Sequence, residues 1–180
     1  DGSTLIVTDD GSVDFGDFDQ TLGVLEARGE NALVGGKDSV ITITDDMIVT
    51  GKNDGFHSKL ELKFSGEGLV TDVDGLGDGD ISIGEDYKLI FADDKLSETD
   101  KNLVENNIDG AGTVVIGSDG ATGTIELGGK NSGLTGDVTV KDGWTLEASM
   151  GANESASDRI GNGTLILEGE GSNASFTQKE

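Results

Sequence analysis

Three stretches decide the fold: Ile48-Val49-Thr50-Gly51, Leu69-Val70-Thr71-Asp72 and Ile90-Phe91-Ala92-Asp93. Their starts, at positions 48, 69 and 90, lie 21 residues apart, twice. A second set precedes them. Ile41-Thr42-Ile43, Leu60-Glu61-Leu62 and Ile81-Ser82-Ile83 are spaced by 19 and 21, and Leu22-Gly23-Val24 starts 19 before Ile41. A third set lies near the C-terminus, where Ile125-Glu126-Leu127, Leu146-Glu147-Ala148 and Leu165-Ile166-Leu167 are spaced by 21 and 19. Self-similarity at a fixed period is the signature of a repeat architecture.

The units inside each repeat read as strands. Lys59-Leu60-Glu61-Leu62-Lys63-Phe64 alternates polar and apolar at every step, as do Asp137-Val138-Thr139-Val140 and Trp144-Thr145-Leu146-Glu147-Ala148. Period-2 alternation marks a strand with one buried face. Turn residues separate them, as in Asp109-Gly110-Ala111-Gly112 and Gly161-Asn162-Gly163. Gly and Asn reach positive φ at low cost.

A repeat of 19–21 residues is too short for a sandwich, which needs around 100 residues to close its core. It matches one coil of a solenoid. The expected fold is all-β: a right-handed parallel β-helix (β-solenoid) with coils of about 19–21 residues, forming a single segment over residues 1–180. Each coil would bury its inner face against its neighbours. The absence of Pro agrees, because an interior strand must donate hydrogen bonds on both sides.

The repeat breaks between Asp93 and Gly110. Residues 94–108 carry no alternation. Leu96, Leu103 and Val104 would share one helical face, and Ser97 with Asp100 resembles a capping box. A non-strand excursion is therefore expected near 94–108, a protruding loop or short helix, and insertions in solenoids often carry binding faces.

Composition narrows the function. Among 180 residues, 12 Lys and Arg face 36 Asp and Glu, a formal charge of −24. That balance opposes nucleic acid and anionic lipid, both of which need basic footprints. Cys is absent, which removes disulfides, thiol nucleophiles and Cys-type zinc sites. No hydrophobic run approaches the length of a membrane-spanning helix, and no basic region followed by an apolar one opens the chain.

The run Asn131-Ser132-Gly133-Leu134-Thr135-Gly136-Asp137-Val138-Thr139-Val140-Lys141-Asp142-Gly143-Trp144-Thr145-Leu146 resembles the repeat of autotransporter passenger domains, the type V secreted proteins of Gram-negative bacteria. Asn131, Gly136, Thr139, Gly143 and Thr145-Leu146 fall where that pattern has Asn, Gly, Thr, Gly and Thr-Leu. Leu134 stands where an aromatic is common, and Trp144 is inserted. Gly112-Thr113-Val114, Gly123-Thr124-Ile125 and Gly163-Thr164-Leu165 are strand starts of the same style. The likeness covers roughly residues 110–175. It implies a segment excised from a larger adhesin-like passenger, displayed at the bacterial cell surface and attached through an outer-membrane barrel. Its partners would be a host surface protein or glycan, or another passenger copy. Lack of Cys suits a chain that crosses a pore unfolded, and local contacts suit coil-by-coil folding.

Chemistry is sparse. His57 is the single histidine, so a Ser-His-Asp site would have to use it. No Gly-x-Ser-x-Gly elbow or phosphate-binding loop occurs. The 36 acids offer many carboxylate pairs but single out none. An enzyme is not expected, and the alternatives kept open are a polysaccharide-acting β-helix and a phage or secreted fibre segment. The densest acidic stretch runs from Asp72 to Glu85. Calcium takes six to eight oxygens, and Asp72, Asp74, Asp78 and Asp80 on Gly-hinged turns are the candidate ligands. The match to an EF-hand loop fails at Leu76. Asn153, Asn162 and Asn173 begin Asn-x-Ser/Thr sequons and receive no role.

Overall fold

In the computed structural model, which describes residues 2–8, 10–92 and 102–178, the alternating stretches become short strands stacked coil upon coil. The chain opens with β1 (Thr4–Val7), β2 (Val13–Asp14) and β3 (Gln20–Leu22), then β4 (Val24–Ala27), β5 (Leu33–Val34) and β6 (Val40–Ile43). It continues through β7 (Met47–Val49), β8 (Lys59–Leu62) and β9 (Gly66–Val70) to a 3-10 turn at Val73–Leu76, then β10 (Ile81–Ile83). Next come β11 (Tyr87–Phe91), β12 (Asn102–Val104), β13 (Ile108–Gly110), β14 (Thr113–Ile116) and β15 (Gly123–Leu127). The last stretch holds β16 (Val138–Val140), β17 (Trp144–Met150), α1 (Ala156–Ile160), β18 (Leu165–Leu167) and β19 (Asn173–Gln178).

The strands form an all-parallel β-solenoid. The longest sheet has eight strands in the order β1-β4-β7-β9-β11-β14-β16-β18. A second has five, β13-β10-β8-β6-β3, and a third has four, β12-β15-β17-β19. β2 and β5 make a two-stranded sheet, continued by a parallel bridge between Gly35 and Phe56. Parallel strands need a crossover, and here the rest of the coil supplies it.

The sequence spacing matches the register in the middle of the chain. Ile48 pairs with Leu69 and Leu69 with Ile90, as Ile41 does with Leu60 and Leu60 with Ile81. Two alignments shift. Leu22 pairs with Ile43, two residues beyond Ile41, because Gln20 takes the place opposite Ile41. Leu165 belongs to the longest sheet opposite Val138, while Leu146 meets Ala174. Coil length is the cause: in the longest sheet the offset is 20 residues at Thr4↔Val24 and 27 at Val138↔Leu165.

Part of the excursion expected near 94–108 is strand instead. Asn102–Val104 is strand β12, hydrogen-bonded to β15, and Ile108 begins β13. Val104 and Ile108 are fully buried, so the helical face expected for Leu103 and Val104 is replaced by strand alternation. Residues 93–101, with Leu96, Ser97 and Asp100, lie outside the described residues.

One continuous core fills the coil interior, with Leu25, Ile41, Leu60, Ile81, Leu89, Val114, Ile125 and Leu146 all at 1% exposure or less. Each such side chain contributes roughly 1.5–3 kcal/mol on burial. Buried asparagines hold the corners. Asn53 Oδ1 accepts from Leu33 N at 2.8 Å, and its Nδ2 donates to Gly51 O at 3.0 Å and Gly75 O at 2.8 Å. Asn131 Oδ1 accepts from Ile108 N at 2.8 Å, and its Nδ2 donates to Arg159 O at 2.6 Å. Each satisfies backbone groups that leave the ladders where a coil turns.

Helix α1 takes the place of a third strand in its coil. It starts with a capping box in which the Asp158 side chain accepts from Ser155 N at 2.7 Å. From it Arg159 reaches back across the coils. Its guanidinium donates to Ser149 O at 2.9 Å, to Gly129 O at 3.0 Å and to Gly128 O, and it pairs with Glu154 at 2.5 Å.

Candidate functional site

Two places on the outer surface gather functional groups: the acidic turn between β9 and β10, and the outward face of the longest sheet. The acidic turn is built locally. Asp72 is extended and caps the 3-10 turn, its Oδ1 accepting from Asp74 N at 3.1 Å. Gly77 ends it at φ 59, where a Cβ would stand 1.7 Å from Phe56 O, so only glycine fits.

The four candidate calcium ligands point to different partners. Asp74 Oδ2 lies 3.5 Å from Lys52 Nζ, which also meets Asp54 at 3.1 Å. The hydrogen bond that Lys52 donates to Asp54, with Asp74 adding to it, raises the Lys52 pKa above its ordinary value. Asp78 Oδ1 lies 2.5 Å from His57 Nδ1, and its Oδ2 is 3.9 Å from Lys37. Asp80 Oδ1 accepts from Asn107 Nδ2 at 2.8 Å. Among the described residues, no three His, Asp or Glu side chains gather as they would around a metal ion. The recess beside this turn, about 140 Å³, is lined by Asp54, His57, Asp74, Asp78 and Glu105.

His57 and Asp78 form a dyad between neighbouring coils. The adjacent serine does not complete a triad with it. Ser58 is buried, and its Oγ lies 2.7 Å from Ser39 Oγ, so its hydroxyl is turned inward.

The second place was not foreseen. On the longest sheet, the residues that point away from the core align as Ile48, Leu69, Ile90 and Val115, strand after strand. Their flanking neighbours Met47, Val49, Val70, Leu89, Phe91, Val114 and Ile116 fill the interior. Ile48, Leu69 and Ile90 are half-buried, and Val115 is buried at 6% exposure. The row continues through Thr139 to Ile166, which is 36% exposed. In the other direction it passes Glu26 and ends at Ile6, 57% exposed.

Leu69, Ile90, Val115 and Thr139 of this row floor a shallow groove of about 350 Å³. On one side Lys88 Nζ meets Glu67 at 3.2 Å. On the other Lys141 Nζ meets Glu168 at 2.8 Å and Asp119 at 3.8 Å. Hydrogen bonding to Glu168 raises the Lys141 pKa. The signal was present in the sequence. Met47-Ile48-Val49 and Leu89-Ile90-Phe91 are unbroken apolar runs, and a strand apolar at consecutive positions is apolar on both faces. Among the described residues no helix is long and apolar enough to cross a membrane.

No protein-family model matches this chain, and no curated protein or solved structure matches it.

Proposed function

We propose that this chain is a non-enzymatic, structural and adhesive segment of a surface-displayed autotransporter passenger, acting in cell adhesion or self-association. The observation that carries this reading is the continuous eight-stranded parallel sheet, whose outward face offers one long surface built from successive coils. The Asn131-to-Leu146 run supports the same reading, since Asn131 holds a coil corner through both ends of its amide.

The test is the open reading frame around the chain together with its behaviour on cells. A secretory signal upstream and an outer-membrane barrel downstream, with adhesion or clumping lost on deleting the solenoid, is the expected result. A frame lying among tail or capsule-degrading genes, with no barrel, overturns it. A polysaccharide-acting enzyme is the second reading, favoured by the groove along the longest sheet. A screen for reducing ends or unsaturated products over acidic and neutral glycans separates the two.

A further inference from the structure

The outward row Ile48, Leu69, Ile90 and Val115 is apolar in a chain of net charge −24. We infer that this face is the surface on which a second copy of the chain docks, the two rods lying side by side and antiparallel. The inference deepens the self-association arm of the proposed function and rests on that arm, though its test needs no cell.

The pattern is self-complementary across the four central strands β7, β9, β11 and β14. A two-fold axis lying across the face between β9 and β11 reverses the order of strands in the second copy. Leu69 then faces Ile90 of the second copy, and Ile48 faces Val115 of the second copy. The flanking row obeys the same operation. Glu67 and Lys88 are register partners on β9 and β11, so each faces the opposite charge on the second copy. One intramolecular ion pair becomes a four-membered cluster of alternating sign. A parallel arrangement of rods does not produce that match. Isologous contacts of this kind close on themselves as dimers.

The floor carries no aromatic ring, which disfavours stacking on a sugar. Sheets packed face to face bring aliphatic rows together at roughly 10 Å. Eight strands about 4.8 Å apart and three outward rows give a footprint of roughly 500 Å² per copy. The total, about 1,000 Å², stands at the lower bound for a specific interface, so the association is weak. Charge repulsion opposes it and salt screens that repulsion.

Sedimentation equilibrium on the 180-residue chain, from about 10 μM to about 1 mM, tests the inference. The expected result is a mass rising from 18.5 kDa toward twice that value, with stronger association at higher salt. Leu69→Asp and Ile90→Asp abolish the rise while leaving the melting temperature near that of the parent, because both side chains point outward. Glu67→Lys weakens association at least tenfold, and adding Lys88→Glu restores it. A spin label on Thr164→Cys reads the orientation, since antiparallel rods hold the two labels roughly 35 Å apart. A monomer at every concentration, undiminished association in Leu69→Asp, or labels within about 20 Å overturns the inference. A dimer from a chain whose reading frame lacks a barrel would leave this surface standing while the passenger reading fell.

Discussion

Trp144 lies directly over Gly123 of the preceding coil, its register partner in the sheet. A Cβ on Gly123 would stand 2.6 Å from the indole ring, and one on Gly117 would stand 2.2 Å from it. The largest buried side chain therefore fits because the coil beneath it has no side chains there. Gly123→Ala is expected to cost about 1–3 kcal/mol by overpacking. Trp144→Ala should cost about 3–5 kcal/mol through the cavity it leaves. Urea melts of both variants check the order.

Tyr87 repeats the arrangement over Gly66, but its hydroxyl is buried with no hydrogen-bond partner among the described residues. Tyr87→Phe should therefore stabilise the chain by about 1 kcal/mol, since an unsatisfied buried hydroxyl is lost. Burial, with Asp46 and Asp45 adding to it, pushes the phenol pKa well above its ordinary value. A raised pKa holds the group neutral in the fold. The stability tied to that neutrality is complete below the unfolded value near 10 and is lost as pH rises beyond it. Melting curves at pH 8 and pH 11 should show the parent losing more stability than Tyr87→Phe.

Asn53 joins backbone groups from Leu33, Gly51 and Gly75, so its loss strands buried donors and acceptors in more than one coil. Asn53→Ala is expected to cost about 2–4 kcal/mol. Asn53→Asp keeps the acceptor and loses both donors, so it should fall close to the alanine variant. Denaturant midpoints compare the two.

Glu61 is held below its usual pKa by the hydrogen bond from Lys63 at 2.6 Å, with Lys59 at 3.4 Å contributing. A depressed pKa adds stability above the unfolded value near 4.5, and that stability disappears as pH falls through the folded one. Acidification also relieves the repulsion among 36 carboxylates, which acts in the opposite direction. Comparing Glu61→Gln with the parent isolates the local effect. The gap in melting temperature between them at pH 7 should narrow as pH falls below about 4.5.

Calcium at Asp72, Asp74, Asp78 and Asp80 would have to displace Lys52, His57 and Asn107 from three of these carboxylates. Calcium at a few millimolar is therefore expected to move the melting temperature by no more than about 1 °C, on the scale where 1 kcal/mol is worth roughly 2–4 °C. A rise of several degrees that Asp78→Asn removes would establish the site.

The repeat was legible because hydrophobic spacing is set by the coil, and it failed where coils lengthen. Leu165 lies 19 residues after Leu146 and so mimics a repeat, yet α1 and its Arg159 anchor occupy part of that span. The strand at Asn102–Val104 was missed because three residues between polar neighbours carry almost no period-2 signal. The outward aliphatic row hid in plain view: Ile48, Leu69 and Ile90 revealed the repeat, but spacing alone does not say which way a side chain points. The dyad of His57 and Asp78 joins residues 21 apart, a contact that follows only from the stacking.

Because the strands wind around the axis, their ladder hydrogen bonds run along it. A pull applied between the two ends loads those bonds in series, and the terminal coil peels first while the others stay closed. Each coil released adds 19 to 28 residues of chain, roughly 65–90 Å when extended. The rod therefore gives way in steps under tension, each dissipating the burial of one coil, and it rewinds from the template of the coil that remains.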